Sequence, residues 1–336
     1  MSSRSMLLIV AMLVAACVAP AGAQQTLGDL VADGGYDWVI GKWVTTTEEG
    51  QKVEYRLDWA LDKHVVFNDI RMGDFTYEGM IMLAPDSMEA SDVGADNQGG
   101  TWKGTWSEDS LGLAHRVERT GADGEANKLD IIHSRVDADT ITIALYGVDS
   151  SGSRSSEPMG KLTYKRQTAK AAEKVAAAAE TSRSTDYQKL GDLVSEGGYE
   201  WLIGKWVATD DSRTYELEHK AILDGHAGLM DMKTGDLTYR GMIMYVPARQ
   251  EIVHVGLDNM GRVWKGTWEQ GDAGLVHKVE CTRPDGTSQK VQFVYIKGDN
   301  DVLKVREYPV EANGSPASTP RTELTFKRQK PAAKDK

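Results

Sequence analysis

The sequence predicts an all-β protein built as two tandem antiparallel up-and-down β-barrels of about ten strands each, joined by a partly helical linker. Three observations predict it. One block of sequence occurs twice, each block alternates apolar and polar residues with a period of two, and turn signals recur about every ten residues.

The duplication comes first. Leu27-Gly28-Asp29-Leu30-Val31 recurs as Leu190-Gly191-Asp192-Leu193-Val194. Gly34-Gly35-Tyr36-Asp37-Trp38-Val39-Ile40-Gly41-Lys42-Trp43 recurs as Gly197-Gly198-Tyr199-Glu200-Trp201-Leu202-Ile203-Gly204-Lys205-Trp206. Trp102-Lys103-Gly104-Thr105-Trp106 matches Trp264-Lys265-Gly266-Thr267-Trp268, and Leu162 to Gln167 matches Leu324 to Gln329. The period of about 162 residues is too long for a solenoid and suits whole domains. The copies occupy 26–167 and 189–329, with an Ala-rich linker at 168–188 and a short tail at 330–336. The linker's Ala169 to Glu180 stretch has high helix propensity, whereas Thr181 to Thr185 does not.

Within copy 1, Val53, Tyr55, Leu57 and Trp59 alternate with Lys52, Glu54, Arg56 and Asp58. Tyr215, Leu217, His219 and Ala221 repeat the pattern in copy 2. One wet and one dry face marks an antiparallel strand. Turn signals such as Asp62-Lys63, Met72-Gly73-Asp74, Pro85-Asp86, Asp123-Gly124, Asp224-Gly225 and Asp285-Gly286 separate such strands. A meander of this kind leaves no edge unpaired once it closes into a barrel. A short helix precedes the first strand of each copy.

The 336 residues carry 39 basic and 50 acidic side chains, a formal charge of -11. So acidic a surface excludes nucleic acid as the main partner, because phosphate recognition needs clustered Lys and Arg. The N-terminus reads as an export signal over 1–23. Arg4 is the positive end, Met6 to Ala16 the apolar stretch, and Ala21-Gly22-Ala23 the small-residue cleavage site. A second reading stands beside it. Val14-Ala15-Ala16-Cys17 has the form of a lipobox, with Cys17 lipidated and anchoring the protein to a membrane. Both readings place the mature chain in the periplasm or outside the cell, with no transmembrane segment. Cys281 is the other cysteine, so no disulfide framework follows.

Gly41-Lys42-Trp43 and Gly204-Lys205-Trp206 stand where a short helix runs into the first strand. With the later Gly-Thr-Trp and the terminal Leu-Thr-aromatic-Lys-Arg, each copy resembles uncharacterised bacterial exported domains with lipocalin-like (calycin or nitrobindin-like) barrels. The resemblance implies a barrel whose tryptophan closes the floor, with a cavity for a small apolar molecule. It also opens haem as an alternative ligand, held by an inward histidine as in nitrobindin-like barrels.

Four of the seven histidines form matched pairs between the copies, His64 with His226 and His115 with His277. By parity His115 shares a face with Leu113 and Val117, and His277 with Leu275, Val279 and Cys281, so both point inward. A core histidine held by one hydrogen bond across the barrel is the plain reading, and ligand contact the functional one. His64 and His226 directly follow turns, which suits a turn hydrogen bond. His133, His219 and His254 have no histidine counterpart.

Trp102 and Trp106 flank Gly104 on one strand face, as Trp264 and Trp268 flank Gly266; a glycine there leaves room for a crossing backbone or a ligand. The candidate ligand-binding residues are therefore Tyr77, Trp102, Trp106 and His115, with Tyr239, Trp264, Trp268 and His277. Met80 and Met82 share a face that parity assigns neither inward nor outward. They either line a cavity or join the two barrels. Asp96-Asn97 and Asp258-Asn259, each with a glycine two residues beyond the Asn, read as turns.

No nucleophile elbow, His-Glu-x-x-His, Cys-x-x-Cys or dinucleotide fingerprint occurs, and no metal-ligand spacing either. The expectation is a non-enzymatic envelope protein that binds a small apolar or amphipathic ligand. Two alternatives are a barrel isomerase or cyclase with His115 and His277 as proton shuttles, and a structural protein with filled barrels.

Overall fold

The structure is a computed structural model that describes residues 25–85, 87–167, 188–210 and 213–329. The export signal, Cys17, nearly all of the 168–188 linker, Asp86 of one predicted turn and the 330–336 tail lie outside the described residues.

Each copy opens on a seven-residue helix, α1 (Leu27–Asp33) and α2 (Leu190–Glu196). Thr26 caps α1 with a reciprocal pair: its Oγ1 accepts from the Asp29 amide and its own amide donates to Asp29 Oδ2. Lys189 replaces it in copy 2, where the backbone half of the pair, Lys189 N to Asp192 Oδ2, is kept.

Copy 1 then runs β1 (Gly41–Thr46), β2 (Lys52–Ala60), β3 (Val65–Met72), β4 (Phe75–Leu83), β5 (Ala90–Asp96), β6 (Thr101–Asp109), β7 (Gly112–Thr120), β8 (Ala126–Arg135), β9 (Thr140–Gly147) and β10 (Gly160–Arg166). Copy 2 follows with β11 (Gly204–Thr209), β12 (Thr214–Ile222), β13 (Ala227–Thr234), β14 (Leu237–Val246), β15 (Glu251–Asp258), β16 (Val263–Gly271), β17 (Gly274–Thr282), β18 (Ser288–Lys297), β19 (Val302–Pro309) and β20 (Thr322–Arg328). All neighbours are antiparallel and sequential, and both sheets close, β1 on β10 and β11 on β20. The predicted pair of ten-stranded antiparallel barrels is what the chain forms.

The helix and a 3-10 turn (Asp37–Val39, Glu200–Leu202) cover one end of each barrel. A clamp of fixed composition locks that end. Trp43 is fully buried and donates from Nε1 to the Val39 carbonyl at 2.8 Å. The Arg166 guanidinium of β10 lies 4.1 Å from the Trp43 ring centre and donates to the Ile40 and Trp38 carbonyls. Arg328 and Trp206 repeat the arrangement at 4.2 Å. Gly41 is required on two counts: its φ of +132° suits glycine, and a Cβ there would lie 2.5 Å from Arg166 Nη1.

The barrels meet side to side through β3–β5 and β13–β15. Met80 and Met82 face out of barrel 1 and pack with Val65 and Ala95 against Met242, Met244, Ala227 and Leu257 of barrel 2. This settles the methionine face as a barrel-to-barrel contact. The contact is reciprocal: a Cβ on Gly261 would lie 3.1 Å from His64 Nδ1, and one on Gly99 would lie 3.4 Å from His226 Nδ1. Gly99 and Gly261 occupy equivalent positions, as do His64 and His226. Reciprocity of this kind defines an isologous, two-fold-like interface. The His64 and His226 side chains thus face the opposite barrel, while the turn bonds are made by their backbone amides, to Leu61 and Leu223.

Candidate functional site

The barrel interiors are set by strand parity. In barrel 1, Tyr55, Tyr77, Asp92, Trp106, His115 and His133 all turn inward, and all but Trp106 are under 5 % exposed. Tyr77 Oη donates to Asp92 Oδ2 at 3.1 Å, and His115 Nε2 bonds Asp92 Oδ1 at 2.7 Å. Asp92 lies on β5 and His115 on β7, so this bond crosses β6. Gly104, paired with Asp92 and Val117, leaves the crossing open. A Cβ there would lie 2.6 Å from Asp92 Oδ1 and 2.8 Å from His115 Nε2. The expected gap between the two indoles is therefore filled by a hydrogen bond, in place of a crossing backbone or a ligand.

Barrel 2 makes the same bridge with a different partner. His254 stands where Asp92 stands in copy 1. Tyr239 Oη lies 2.7 Å from His254 Nε2, and His254 Nδ1 lies 2.5 Å from His277 Nε2. Tyrosine donating to Nε2 makes Nδ1–H of His254 the donor to His277, a consistent chain for neutral rings. Burial drives His254 down to about 3, and burial together with the two neighbouring histidines holds His277 well below the usual imidazole range. Each recurring histidine also stacks on an indole, His115 on Trp106 with ring centres 4.3 Å apart and His277 on Trp268 at 4.1 Å.

Trp102 and Trp264 lie toward the opposite end from the helix. Trp102 Nε1 donates to Asp96 Oδ2 at 2.7 Å, and Arg119 donates to the same oxygen at 2.8 Å. Burial raises the Asp96 carboxyl, but the Arg119 and Trp102 bonds outweigh it and hold the group below its usual range. Asp96 and Asp258 do accept the turn amides that the sequence suggests, yet they also anchor a tryptophan and an arginine. A turn alone is thus too small a role for them.

Two chambers lie at the helix-covered ends. That of barrel 1 is about 370 Å³ and is lined by Leu27, Val39, Leu57, Val66, Trp106 and Leu113, among others. That of barrel 2 is about 580 Å³, with Leu190, Leu202, His219, Gly228, Trp268 and Leu275 in its wall. Gly228 occupies the place of Val66, and the missing side chain widens the second chamber. A smaller cavity of about 110 Å³ lies toward the other end of barrel 2, touching Tyr239, Trp264, His254 and His277.

Of the eight candidates, Trp106 and Trp268 line the two chambers, and Tyr239, Trp264 and His277 line the smaller cavity. Tyr77, Trp102 and His115 line none of these and take part in hydrogen bonds of the barrel interior. His115 Nε2 is held by Asp92, so haem ligation through that nitrogen would require this bond to break. The described residues contain no group of three or more metal-ligating side chains.

Sequence reasoning passed over Asp92, His254, His133 and His219. It searched for identity between the copies, and these positions differ: Asp92 aligns with His254, Leu57 with His219 and His133 with Tyr295. Their signal was parity, since each shares the dry face of its strand.

No family model matches the chain, and no curated protein matches it either. Among solved structures it is similar to a protein of unknown function from the DUF3598 family of Nostoc punctiforme PCC 73102, at 10% identity. That alignment covers 87% of this chain and 97% of the other, with a TM-score of 0.19. A likeness at that score carries no argument about this chain.

Proposed function

We propose that this chain is an exported tandem binding protein that holds a small, mainly apolar, uncharged ligand in the helix-covered chamber of each barrel. One observation carries the reading. The same chamber exists in both copies, walled by apolar side chains, and in each an indole lines it whose buried Nε1–H has no partner among the described residues, Trp106 in one and Trp268 in the other. Buried polar atoms are satisfied as a rule, so an orphaned donor beside a cavity suits a ligand acceptor. Export rests on the pattern of residues 1–23, and the sequence leaves both secretion and a Cys17 lipid anchor open.

The test is native mass spectrometry of residues 24–336 purified from a bacterial periplasm and titrated with neutral apolar compounds. Two equivalents of ligand are expected for the native chain. Gly228→Trp, which fills the second chamber with a side chain far larger than the Val66 of copy 1, is expected to reduce that to one. If no compound binds saturably, or if folded Gly228→Trp leaves both sites intact, the reading falls.

A further inference from the structure

The two chambers differ at one buried position. Leu57 lines the first and His219 stands at the equivalent place in the second. His219 is 2 % exposed, and neither ring nitrogen has a partner among the described residues. Trp268, whose Nε1–H is also unpartnered, lies with its ring centre 6.2 Å from the imidazole at an interplanar angle of 79°. Both rings line the same 580 Å³ chamber. Among seven histidines, one that is wholly buried with both nitrogens idle asks for a partner from outside the chain.

We propose that the second chamber selects alcohols: an apolar molecule enters with its hydroxyl against His219 and Trp268, while the first chamber, with Leu57 there, has no such preference. The inference rests on the ligand-binding reading above. Burial lowers His219 to about 4, the Asp231 charge opposing only weakly, so its ring is neutral at neutral pH. A neutral imidazole offers one N–H and one lone pair, and the indole adds a second N–H. The two ring nitrogens point in divergent directions, so one hydroxyl meets one of them: it donates to the imidazole lone pair and accepts from the indole N–H, a pair of bonds that needs both a donor and an acceptor on the ligand. A carboxylate only accepts, leaving the imidazole lone pair turned toward an anion. The charges around the chamber also disfavour an anion, since Glu196, Glu200 and Glu269 outnumber Lys220. In the first chamber the Trp106 N–H is the orphaned donor, and it suits a lone acceptor such as a ketone or ester oxygen.

The test titrates residues 24–336 with 1-decanol, decanoate and 2-decanone at pH 7.5, following bound mass and tryptophan fluorescence. The second site is expected to bind decanol at least tenfold more tightly than decanoate. His219→Leu, which places the copy 1 residue in an apolar wall, is expected to abolish the preference for decanol over decanone and to leave decanone bound. Trp268→Phe serves as a second variant and, because alcohol and ketone oxygens both accept from the indole N–H, is expected to weaken decanol and decanone together and to keep the preference for decanol. Equal binding of decanol and decanoate, or an unchanged decanol-to-decanone ratio in folded His219→Leu, overturns the inference and leaves the ligand-binding reading standing. Failure of all three probes at both sites overturns the two together.

Discussion

At the scale of single residues, the barrels tolerate exchange where the interaction is conserved and the residue is not. Asp92 and His254 occupy one position, and each accepts from a tyrosine and bridges to a histidine two strands away. The arginine that holds the mouth aspartate is relocated as well. In barrel 1 it is Arg119, and Gly100 gives it room; in barrel 2 it is Arg262, from the place of Gly100, while the place of Arg119 holds the buried Cys281. Gly104 shows the opposite behaviour and admits no alternative, because the Asp92–His115 bond runs over it. Gly104→Ala is expected to lower stability by about 1–3 kcal/mol, the usual effect of overpacking. Urea denaturation checks it, and a loss below about 0.5 kcal/mol would show that the bond yields without strain.

At the scale of elements, strands β3–β5 and β13–β15 serve two partners at once. Their inward faces carry the polar bridges, and their outward faces carry Val65, Met80 and Met82 against Ala227, Met242 and Met244. Asn259 reaches across to Asp62 at 3.3 Å, and Arg240 lies over Phe67 at 4.9 Å. A contact with an apolar centre and polar edges has the anatomy of a stable interface. With a protease site inserted in 168–187, the cut halves are therefore expected to migrate as one species in gel filtration. Met242→Asp, which buries a carboxylate at the centre of the contact, is expected to separate them. Separation of the unmutated halves would show that the linker alone holds the pair together.

At the scale of the whole molecule, the copies differ in how acid acts on them. Barrel 1 buries one imidazole held far down, His133 at about 3, by burial first and by its neighbour His115 second. Barrel 2 buries three: His219 at about 4, His254 at about 3 and His277 well below its ordinary value. His64 and His226, lowered by burial at the interface, add one to each side. Above about pH 6.5 these rings are neutral folded or unfolded, so they add no pH dependence. Below it the unfolded chain takes up protons that the folded barrel refuses, and stability falls until the folded pKa is reached. Each ring contributes about 1.4 kcal/mol per pH unit over that window. Barrel 2 is therefore expected to lose more stability than barrel 1 between about pH 6.5 and 4. Hydrogen exchange of peptides from each barrel at the two limits measures the difference, and equal loss in both would contradict it.

The sequence by itself determined the fold class, the duplication, the strand count and which side chains share a face. These follow from local signals: alternation over a few residues, turn chemistry, and a block that occurs twice. The inward direction of His115 and His277 was legible for the same reason. Only the tertiary structure decided what those rings meet. Closure of the sheet brings β5 and β7 within bonding distance across Gly104, and nothing in either strand's own pattern encodes that approach. It also decided that the methionine face is an interface, because an apolar face turned toward a neighbouring barrel alternates just as one turned toward a core does. The two chambers, and the idle nitrogens of His219 inside one of them, depend on how a helix settles over a barrel end, a matter of packing that no short stretch of this chain contains.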